Sequence, residues 1–255
     1  MTPAPGKSPI QRSAPRISGG LRLDPRPAVI GARFSKIKKV IAVTGWKGGI
    51  GKSVTASTLA LLLAEKGFKT GLLDLDLAGA SAHIVLGASG LFPKEEMGLE
   101  PPSVAGVKFM SVSFFSSNKA VPLRGAGVSD AIMEMLAITR WGELDYLVID
   151  MPPGINDTAL DIIRLLPGTR VLAVTTPSIM AHSVLERSLR LYKSLKVPVL
   201  GVIENMTRGA HALSKAAAGR VRYDARLEKA LGSPARILKT DFAKDLAKIA
   251  GRIVN

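Results

Sequence analysis

The sequence predicts a single α/β domain with a mainly parallel, doubly wound sheet and helices on both faces. Three observations support this fold class. Short apolar runs alternate with longer amphipathic segments along the chain, which is the order that builds parallel sheets covered by crossover helices. A glycine-rich turn separates the first apolar run from the first helical segment. The 255 residues, 47% of them hydrophobic, are enough to bury one sizeable core.

The strands and helices are predicted from these patterns in chain order. Buried strands are expected at residues 40–44, 70–75, 107–112, 146–150, 170–176 and 198–203. Helices are expected near residues 53–66, 129–139, 157–166, 181–195 and 241–253. The segment at residues 89–104 contains several Pro, Gly and Glu residues, so it is predicted to be a surface loop.

Composition excludes several classes of protein. No apolar run approaches the roughly 20 residues that a membrane-spanning helix needs, and no secretory signal peptide begins the sequence. The chain is therefore expected to be cytosolic, without a transmembrane segment. The sequence has no cysteine, which excludes disulfides and thiolate ligands to a metal.

The net charge of +15 is concentrated at the two ends of the chain. Residues 1–39 hold nine Lys or Arg and one acid, and residues 206–255 hold eleven and four, whereas the middle is neutral. Residues 1–35 are also rich in Pro, Ser and Arg, and such a composition buries too little apolar surface to fold. We predict a disordered basic tail over residues 1–35 and one folded domain over residues 36–255. An organellar transit peptide and a tail in weak contact with nucleic acid are the alternatives.

The glycine-rich turn lies between the strand at residues 40–44 and the helix that follows it. Such a turn points backbone N–H groups at one place beside a helix N-terminus, which favours phosphate oxygens. Gly51, Lys52 and Ser53 form the second half of a P-loop motif, in which the lysine reaches phosphates and the serine hydroxyl ligates Mg²⁺. Trp46 stands where the usual first glycine of that motif would be. The alternative is a surface turn with solvated lysines.

The stretch from Lys47 to Ser53 accounts for that departure. Its spelling, KGGIGKS, resembles the deviant Walker A motif of the MinD, ParA and nitrogenase iron protein class of P-loop NTPases. In that class the first lysine crosses a homodimer bridged by ATP and reaches the partner's phosphates. The resemblance therefore implies a P-loop ATPase fold, bound ATP with Mg²⁺, and a dimeric active form.

Acidic side chains follow the apolar residues of two predicted strands. Asp74 and Asp76 end the strand at 70–75, and Asp150 ends the strand at 146–150. The carboxyl ends of parallel strands meet at the edge where ligands bind. A carboxylate after four apolar residues is typical of a Walker B acid that holds the magnesium shell. Each acid alone could be a helix N-cap or a solvated loop residue, but three acids beside the glycine-rich turn favour a metal site.

Four stretches give the chain a more specific resemblance, to the Mrp/NBP35-like (ApbC-like) ATPases, whose members are associated with iron–sulfur cluster assembly. The stretches are KGGIGKS at 47–53, GLLDLDLAGAS at 71–81, DYLVIDMPPGIND at 145–157 and VPVLGVIENM at 197–206. The combination of Asp-Met-Pro-Pro-Gly with Glu-Asn-Met is the specific part, because ParA and MinD proteins generally share the P-loop without it. The resemblance covers about residues 36–206 and is strongest to archaeal members.

The resemblance implies a role for each matching residue. Nucleotide contacts are implied for Lys47, Gly48, Gly49, Ile50, Gly51, Lys52, Ser53, Val54 and Asn205, the last of which would hydrogen-bond the adenine edge. Catalysis is implied for Lys47, which acts on the partner's nucleotide, for Lys52, the Walker A lysine, and for Asp76, which orients water. The implied switch residues are Asp76, Asp150, Pro152, Pro153 and Gly154. Magnesium would be held, partly through water, by Ser53, Asp76 and Asp150.

The chain departs from that family after Met206. Members that carry clusters usually place a C-x-x-C pair soon after Glu-Asn-Met, whereas this chain has no cysteine and offers His211 there. Iron–sulfur clusters need several thiolates, and a lone histidine is far more often exposed to solvent than a ligand. We therefore expect no iron–sulfur cluster ligated by this chain. Either the cluster role is lost in this chain, or a partner, an iron–sulfur scaffold or client protein, supplies every ligand.

Two function classes stay open at this point. The first is an Mrp-like ATPase that assists iron–sulfur cluster assembly. The second is a ParA- or MinD-like switch whose nucleotide state controls attachment to DNA, through the basic ends, or to membrane. The segment at residues 241–253 has Phe242, Leu246, Ile249 and Ile253 on one helical face and basic residues on another. That pattern fits either an interfacial helix or a helix docked on the sheet.

Overall fold

The structure is a computed structural model that describes residues 24–77, 79–115, 126–155, 157–209 and 217–254. Its strands are β1 (Ile37–Thr44), β2 (Thr70–Asp74), β3 (Lys94–Glu95), β4 (Leu99–Glu100), β5 (Ser103–Val104), β6 (Val107–Ser111), β7 (Leu144–Asp150), β8 (Arg170–Thr175), β9 (Val199–Thr207) and β10 (Ala217–Arg222). Its helices are α1 (Arg26–Phe34), α2 (Lys52–Glu65), α3 (Ala82–Leu86), α4 (Ala126–Ile138), α5 (Asp157–Leu165), α6 (Ile179–Ser194), α7 (Leu227–Ala230), α8 (Pro234–Ile237) and α9 (Asp241–Ile253). Each strand and helix predicted from the sequence is present, with ends that differ by a few residues.

One large sheet organises the chain. In the described residues it has eight strands in the order β10-β9-β8-β1-β7-β2-β6-β5. Neighbouring strands are parallel except for the edge pair of β5 and β6. The predicted mainly parallel fold class is confirmed. Because β1 lies among the central strands, the turn that follows it opens in the middle of the sheet edge where ligands bind.

Helices cover both faces of the sheet. Buried side chains of α2, α3 and α9 share one core with the sheet, among them Leu59, Val85 and Leu246. Side chains of α1, α4, α5 and α6 form the core on the opposite face, among them Ile30, Ile132, Ile162 and Tyr192. The domain therefore has three layers, as the doubly wound prediction requires.

Helix α1 lies inside the segment predicted to be a disordered tail. Asp24 accepts a hydrogen bond from the Arg26 N–H at 2.9 Å, and proline in the first turn suits a helix start. Ile30 and Phe34, four residues apart, face the core and are 0% and 9% exposed. The prediction of a tail over residues 1–35 is therefore wrong for α1, because two apolar residues at helical spacing outweigh the Pro-rich composition around them. The rest of that tail, residues 1–23, lies outside the described residues.

The segment predicted as a surface loop, residues 89–104, is largely exposed but contains short strands. β3 and β4 form an antiparallel hairpin, and Met97 at its turn is 92% exposed. β5 pairs antiparallel with β6 and ends the sheet on that side.

Helix α9 is docked on the sheet. Asp224 accepts hydrogen bonds from the backbone N–H groups of Asp241 and Phe242, and the Thr240 hydroxyl accepts one from Ala243. The apolar face of α9 is buried, with Leu246 0% exposed. The docked alternative is the one that the structure shows. Among the described residues no helix is long and apolar enough to span a membrane; a cytosolic location stays a prediction.

Replacing Leu246 with Ala should lower the free energy of unfolding by about 2–5 kcal/mol, because a fully buried side chain leaves a cavity. Lys248→Ala is the matched control, since Lys248 is exposed on the same helix and should change stability by about 0.5 kcal/mol or less. Urea denaturation followed by circular dichroism measures both. Equal, small effects would contradict the docked position of α9.

Candidate functional site

The glycine-rich turn joins β1 to α2 at the carboxyl edge of the sheet. Gly51 directly precedes α2 and has a φ of 85°, in the left-handed region that glycine adopts readily. A Cβ at Gly51 would lie 2.2 Å from Asn205 Nδ2, so a larger residue would displace Asn205. Helix α2 begins at Lys52, and the first N–H groups of a helix have no acceptor within it. The turn therefore offers backbone N–H groups and the Lys52 ammonium to one place.

A cavity of about 500 Å³ opens beside this turn. It is lined by the stretch from Lys47 to Val54, together with Asp76 and Pro153. The structure thus brings together most of the residues for which nucleotide contacts were predicted. It adds three lining residues that the sequence analysis did not assign: Gly79, Ser81 and Met206. All three lie within the sequence stretches that carry the family resemblance, which is the signal that could have found them.

Lys52 is held between two carboxylates. Its Nζ lies 2.6 Å from Asp150 Oδ1 and 3.3 Å from Asp76 Oδ2. The Lys52 side chain is 7% exposed and that of Asp150 is 0% exposed. An ion pair this deeply buried is costly to break on one side, because a buried charge would lose its partner.

The register of the sheet explains why the acids meet. β2 and β7 are parallel neighbours in which Asp74 lies opposite Asp150. Asp76 follows two residues after Asp74, where the chain has left the strand. The ends of two adjacent strands therefore bring three carboxylates together, and two of them, Asp76 and Asp150, contact the ammonium of Lys52.

Burial dominates the ionisation of two of these carboxylates. It raises the pKa of Asp74 to about 7, and the nearby Asp150 adds to the rise. Burial also raises the pKa of Asp150, although the Lys52 ammonium opposes the rise. Asp150 Oδ2 is buried and has no hydrogen-bond partner among the described residues. The cluster is therefore short of positive charge, with one ammonium for two contacting carboxylates.

Asp74 holds the loop that carries Asp76. It accepts hydrogen bonds from the backbone N–H groups of Asp76 at 3.1 Å and Ala82 at 3.3 Å, and from the Ser111 hydroxyl at 3.3 Å. Asp76 accepts the Gly79 N–H at 3.0 Å through Oδ1, while its Oδ2 faces Lys52. Asp74 is thus a positioning residue for Asp76. Ser111 ends β6 without any motif around it, and the sequence analysis missed it.

The switch residues predicted after Asp150 lie against the glycine-rich turn. The Gly154 N–H donates to the Gly45 carbonyl at 2.9 Å, and the Met151 N–H donates to the Val43 carbonyl at 3.0 Å. Pro152 is buried, and Pro153 is exposed and lines the cavity. A change in the strand end and turn at residues 43–45 would therefore reach this segment through direct backbone contacts.

Asn205 connects the turn to a second cavity. Its Nδ2 donates to the Ile50 carbonyl at 2.8 Å, and its Oδ1 accepts the Met206 N–H at 2.8 Å. The second cavity, of about 160 Å³, is lined by Asn205, by Val54 and by residues between 222 and 231. The sequence analysis missed the lining residues between 222 and 231. They begin at the end of β10, and β10 was not predicted because it contains no long apolar run.

Lys47 occupies the rim of the larger cavity. Its side chain is exposed, and among the described residues no carboxylate lies within 4.0 Å of its ammonium. The two lysines of the turn therefore differ in kind: Lys52 is buried in an ion cluster, whereas Lys47 is exposed at the cavity and has no carboxylate within reach among the described residues.

The histidines do not assemble a metal site in the described part of the chain. No group of three or more His, Cys, Asp or Glu residues there has the arrangement of a metal centre. His83 and His182 lie in α3 and α6, on separate elements, and burial lowers the pKa of His83. His211 lies outside the described residues.

Three curated proteins similar to this chain are iron–sulfur cluster carrier proteins. The one from Pseudomonas fragi is 39% identical over 177 residues, which make up 68% of this chain and 62% of that protein. The one from Escherichia coli K12 is 40% identical over 174 residues, which make up 67% of this chain and 47% of that protein. The one from Saccharolobus solfataricus is 38% identical over 180 residues, which make up 69% of this chain and 61% of that protein. The chain thus spans between 47% and 62% of the length of these relatives.

Solved structures agree on the architecture. A nucleotide-binding protein from Archaeoglobus fulgidus, in complex with ADP, is 29% identical, with a TM-score of 0.69 over 84% of this chain and 93% of that one. The cell division ATPase MinD of Pyrococcus furiosus is 18% identical, with a TM-score of 0.61 over 85% of this chain and 98% of that one. The second likeness concerns the fold alone.

The sequence model of one protein family spans most of the predicted domain. It matches residues 36–218, from the start of β1 into β10. That interval contains the glycine-rich turn, the three strand-end carboxylates and Asn205. The chain belongs to the ParA-type family of NUBPL iron-transfer P-loop NTPases.

Proposed function

We propose that this chain binds and hydrolyses Mg·ATP as a nucleotide-bridged homodimer and serves iron–sulfur cluster assembly without ligating a cluster itself. The observation that carries the nucleotide part is the position of Lys52. Its ammonium lies at the start of α2, beside the free N–H groups of the turn, and is held by Asp76 and Asp150. That arrangement suits an ammonium that is kept in place until phosphate oxygens arrive.

The oxygen atoms at this place fit a magnesium ion. Ser53 lies in the first turn of α2, and Asp76 and Asp150 already share one cation, Lys52. Asp150 Oδ2 is a buried acceptor without a hydrogen-bond partner in the described residues. Hydroxyl and carboxylate oxygens are the ligands that magnesium prefers, usually with several waters retained. Bound there, magnesium would neutralise charge on the β- and γ-phosphates.

Charge balance gives the order of events in the site. Without nucleotide, Lys52 partly neutralises Asp76 and Asp150. When a triphosphate occupies the turn, Lys52 would exchange these carboxylates for phosphate oxygens, which would leave Asp76 and Asp150 available to hold magnesium. Each charge keeps a partner throughout, which avoids the cost of a buried unpaired ion.

Asp76 is the residue we assign to the attacking water. Its Oδ2 faces Lys52, and its Oδ1 is fixed by the Gly79 N–H. When Lys52 moves to the phosphates, Oδ2 is free to accept a hydrogen bond from water. Phosphoryl transfer needs such positioning and charge neutralisation more than covalent catalysis.

Lys47 supports the dimer. An exposed ammonium without an ion-pair partner in the described residues lies at the rim of the phosphate cavity. We assign it to the partner's nucleotide, as the KGGIGKS spelling implies. Two copies would then each complete the other's site.

Asn205 is the residue we assign to the nucleobase. Its amide group joins the turn to the second cavity, which has room beside Val54 and the segment after β10. An amide offers both a donor and an acceptor, as the adenine edge requires. The base would therefore occupy the 160 Å³ cavity while the phosphates occupy the larger one.

The link to iron–sulfur chemistry rests on the curated relatives, which are named as carriers. This chain has no cysteine, so the thiolates of any cluster would come from a scaffold or client protein.

A ParA- or MinD-like positioning switch is the second candidate. It has less support, because those structural neighbours share only the fold and because the apolar face of α9 is buried against the sheet.

Lys52→Ala should weaken Mg·ATP binding by about a hundredfold or more, because a charge-assisted contact to phosphate is lost. Isothermal titration calorimetry measures the affinity, and circular dichroism checks the fold. Lys66→Ala, at the exposed far end of α2, is the matched control and should bind like the wild type. Unchanged affinity in Lys52→Ala would remove the assignment of this site.

The dimer makes opposite predictions for two variants. Asp76→Ala should bind ATP, fail to hydrolyse it and accumulate as a dimer, because the water-orienting acid is gone. Lys47→Ala should bind ATP but stay monomeric and inactive, because the contact to the partner's phosphates is gone. Size-exclusion chromatography with light scattering and a phosphate-release assay separate the two. A Lys47→Ala variant that is monomeric and hydrolyses ATP at the normal rate would contradict the nucleotide-bridged homodimer.

The purified protein should retain no iron–sulfur cluster after anaerobic treatment with iron and sulfide. The chain contains no thiolate, and known clusters use histidine for only some of their ligands. We expect no visible charge-transfer absorption and no stoichiometric iron after desalting. Stoichiometric iron and sulfide that disappear in His211→Ala would show that the chain ligates a cluster after all.

A further inference from the structure

The exposed cations after Met206 are not balanced by exposed acids. Residues 206–255 hold eleven Lys or Arg and four acids. Two of the acids face inward, since the side chains of Asp224 and Asp245 are 5% and 10% exposed. Glu228 lines the cavity beside Asn205. Glu228 and Asp241 are thus the acids at the surface of this part of the chain, Glu228 exposed and Asp241 39% exposed, against nine exposed Lys or Arg in the described residues.

Four of these cations surround a single open cavity of about 290 Å³, formed around α7, α8 and the start of α9: Arg226, Lys229, Arg236 and Lys239. Arg226 is paired with Asp224 and Asp241. The other three have no carboxylate within 4.0 Å among the described residues. Three like charges held around one space repel each other, so an anion placed there would relieve the repulsion.

The basic surface continues along α9. Asp241 pairs with Arg226 through Oδ2 and with Lys244 through Oδ1, so the cavity and the exposed face of the helix meet at this residue. Lys248 and Arg252 follow at intervals of four residues and are exposed. Asp245, the acid between Lys244 and Lys248, pairs with Arg222 at 2.7 Å. From Lys244 to Arg252 the stripe runs for about 12 Å at the rise of an α-helix.

The charges and the lack of large exposed apolar side chains on this surface indicate which kind of ligand it fits. The N–H groups of the first turn of α9 are already bonded to Asp224 and Thr240, so only side-chain charge is available for recognition. The apolar residues of α9 are buried, with Phe242 2% exposed, and nothing on this face would insert into lipid. A row of exposed Lys and Arg, most of them without an ion-pair partner in the described residues, fits a polymer with regularly spaced phosphates, such as duplex DNA with a charge per about 1.7 Å.

We propose that Arg226, Lys229, Arg236, Lys239, Lys244, Lys248 and Arg252 form a C-terminal basic surface that binds the phosphodiester backbone of nucleic acid. Binding is independent of base sequence, because the surface offers cations and no group placed to read base edges. The cavity that these cations line shares no lining residue with the two cavities assigned to ATP, and the proposal does not rest on ATP hydrolysis.

Fluorescence anisotropy with two short labelled DNA duplexes of unrelated sequence tests the proposal on the full-length chain. Two variants each remove two charges from the surface: Lys229→Gln with Lys239→Gln, and Lys248→Gln with Arg252→Gln. Arg187→Gln with Lys193→Gln is the matched control, because these exposed cations lie on α6 and the change in net charge is the same.

We expect both duplexes to bind with similar affinity. Each surface variant should lower the slope of log affinity against log salt by about 2, and should weaken binding at about 0.1 M KCl by tenfold or more. The control should stay within about threefold of the wild type. Circular dichroism should show all variants folded, because every replaced side chain is exposed.

Three results would overturn the proposal. Equal losses in the surface variants and the control would mean that net charge alone drives binding. Wild-type binding by both surface variants would place the DNA contact elsewhere, for example on the basic N-terminal residues. Sedimentation with phosphatidylserine vesicles, in the absence of any binding to DNA, would identify a membrane as the partner.

Discussion

The ion cluster of Lys52 with Asp76 and Asp150 is the interaction on which the rest of the site depends. One buried ammonium serves two carboxylates, and the carboxyl group of Asp74, with its pKa raised to about 7, lies directly beside them. A cluster so short of positive charge is stable only as long as each remaining charge has a partner. It is therefore prepared to take up a further cation together with phosphate oxygens.

The parallel sheet is what makes this cluster. Strands β1, β2 and β7 end at the same edge, and the register of β2 with β7 places two acids side by side. Hydrogen bonds to main-chain groups then fix the details: the Asp74 carboxylate accepts the Asp76 N–H and holds its loop, and the Gly154 N–H holds the switch segment to the Gly45 carbonyl. The chemistry therefore depends on main-chain geometry as much as on the side chains of the motif.

Sequence reasoning reached the parts of this site that a local pattern specifies. The order of strand, glycines, Lys52 and helix fixed the turn, and parallel strands required Asp76 and Asp150 to meet. It did not reach contacts made by residues distant in sequence, such as Ser111 with Asp74, or the second cavity behind β10. Helix α1 was missed because average composition conceals two well-spaced apolar residues. The Ser111 contact and the second cavity arise where segments distant in sequence pack together, and a short stretch of sequence carries no information about that packing.

The central claim is that Lys52 exchanges carboxylate partners for phosphate when nucleotide binds. A crystal structure with Mg²⁺ and a non-hydrolysable ATP analogue measures this directly. The account predicts that the Lys52 Nζ to Asp150 Oδ1 distance increases from 2.6 Å beyond hydrogen-bonding range while Lys52 contacts the β- or γ-phosphate. A complex in which Lys52 keeps both carboxylates and does not contact phosphate would contradict it.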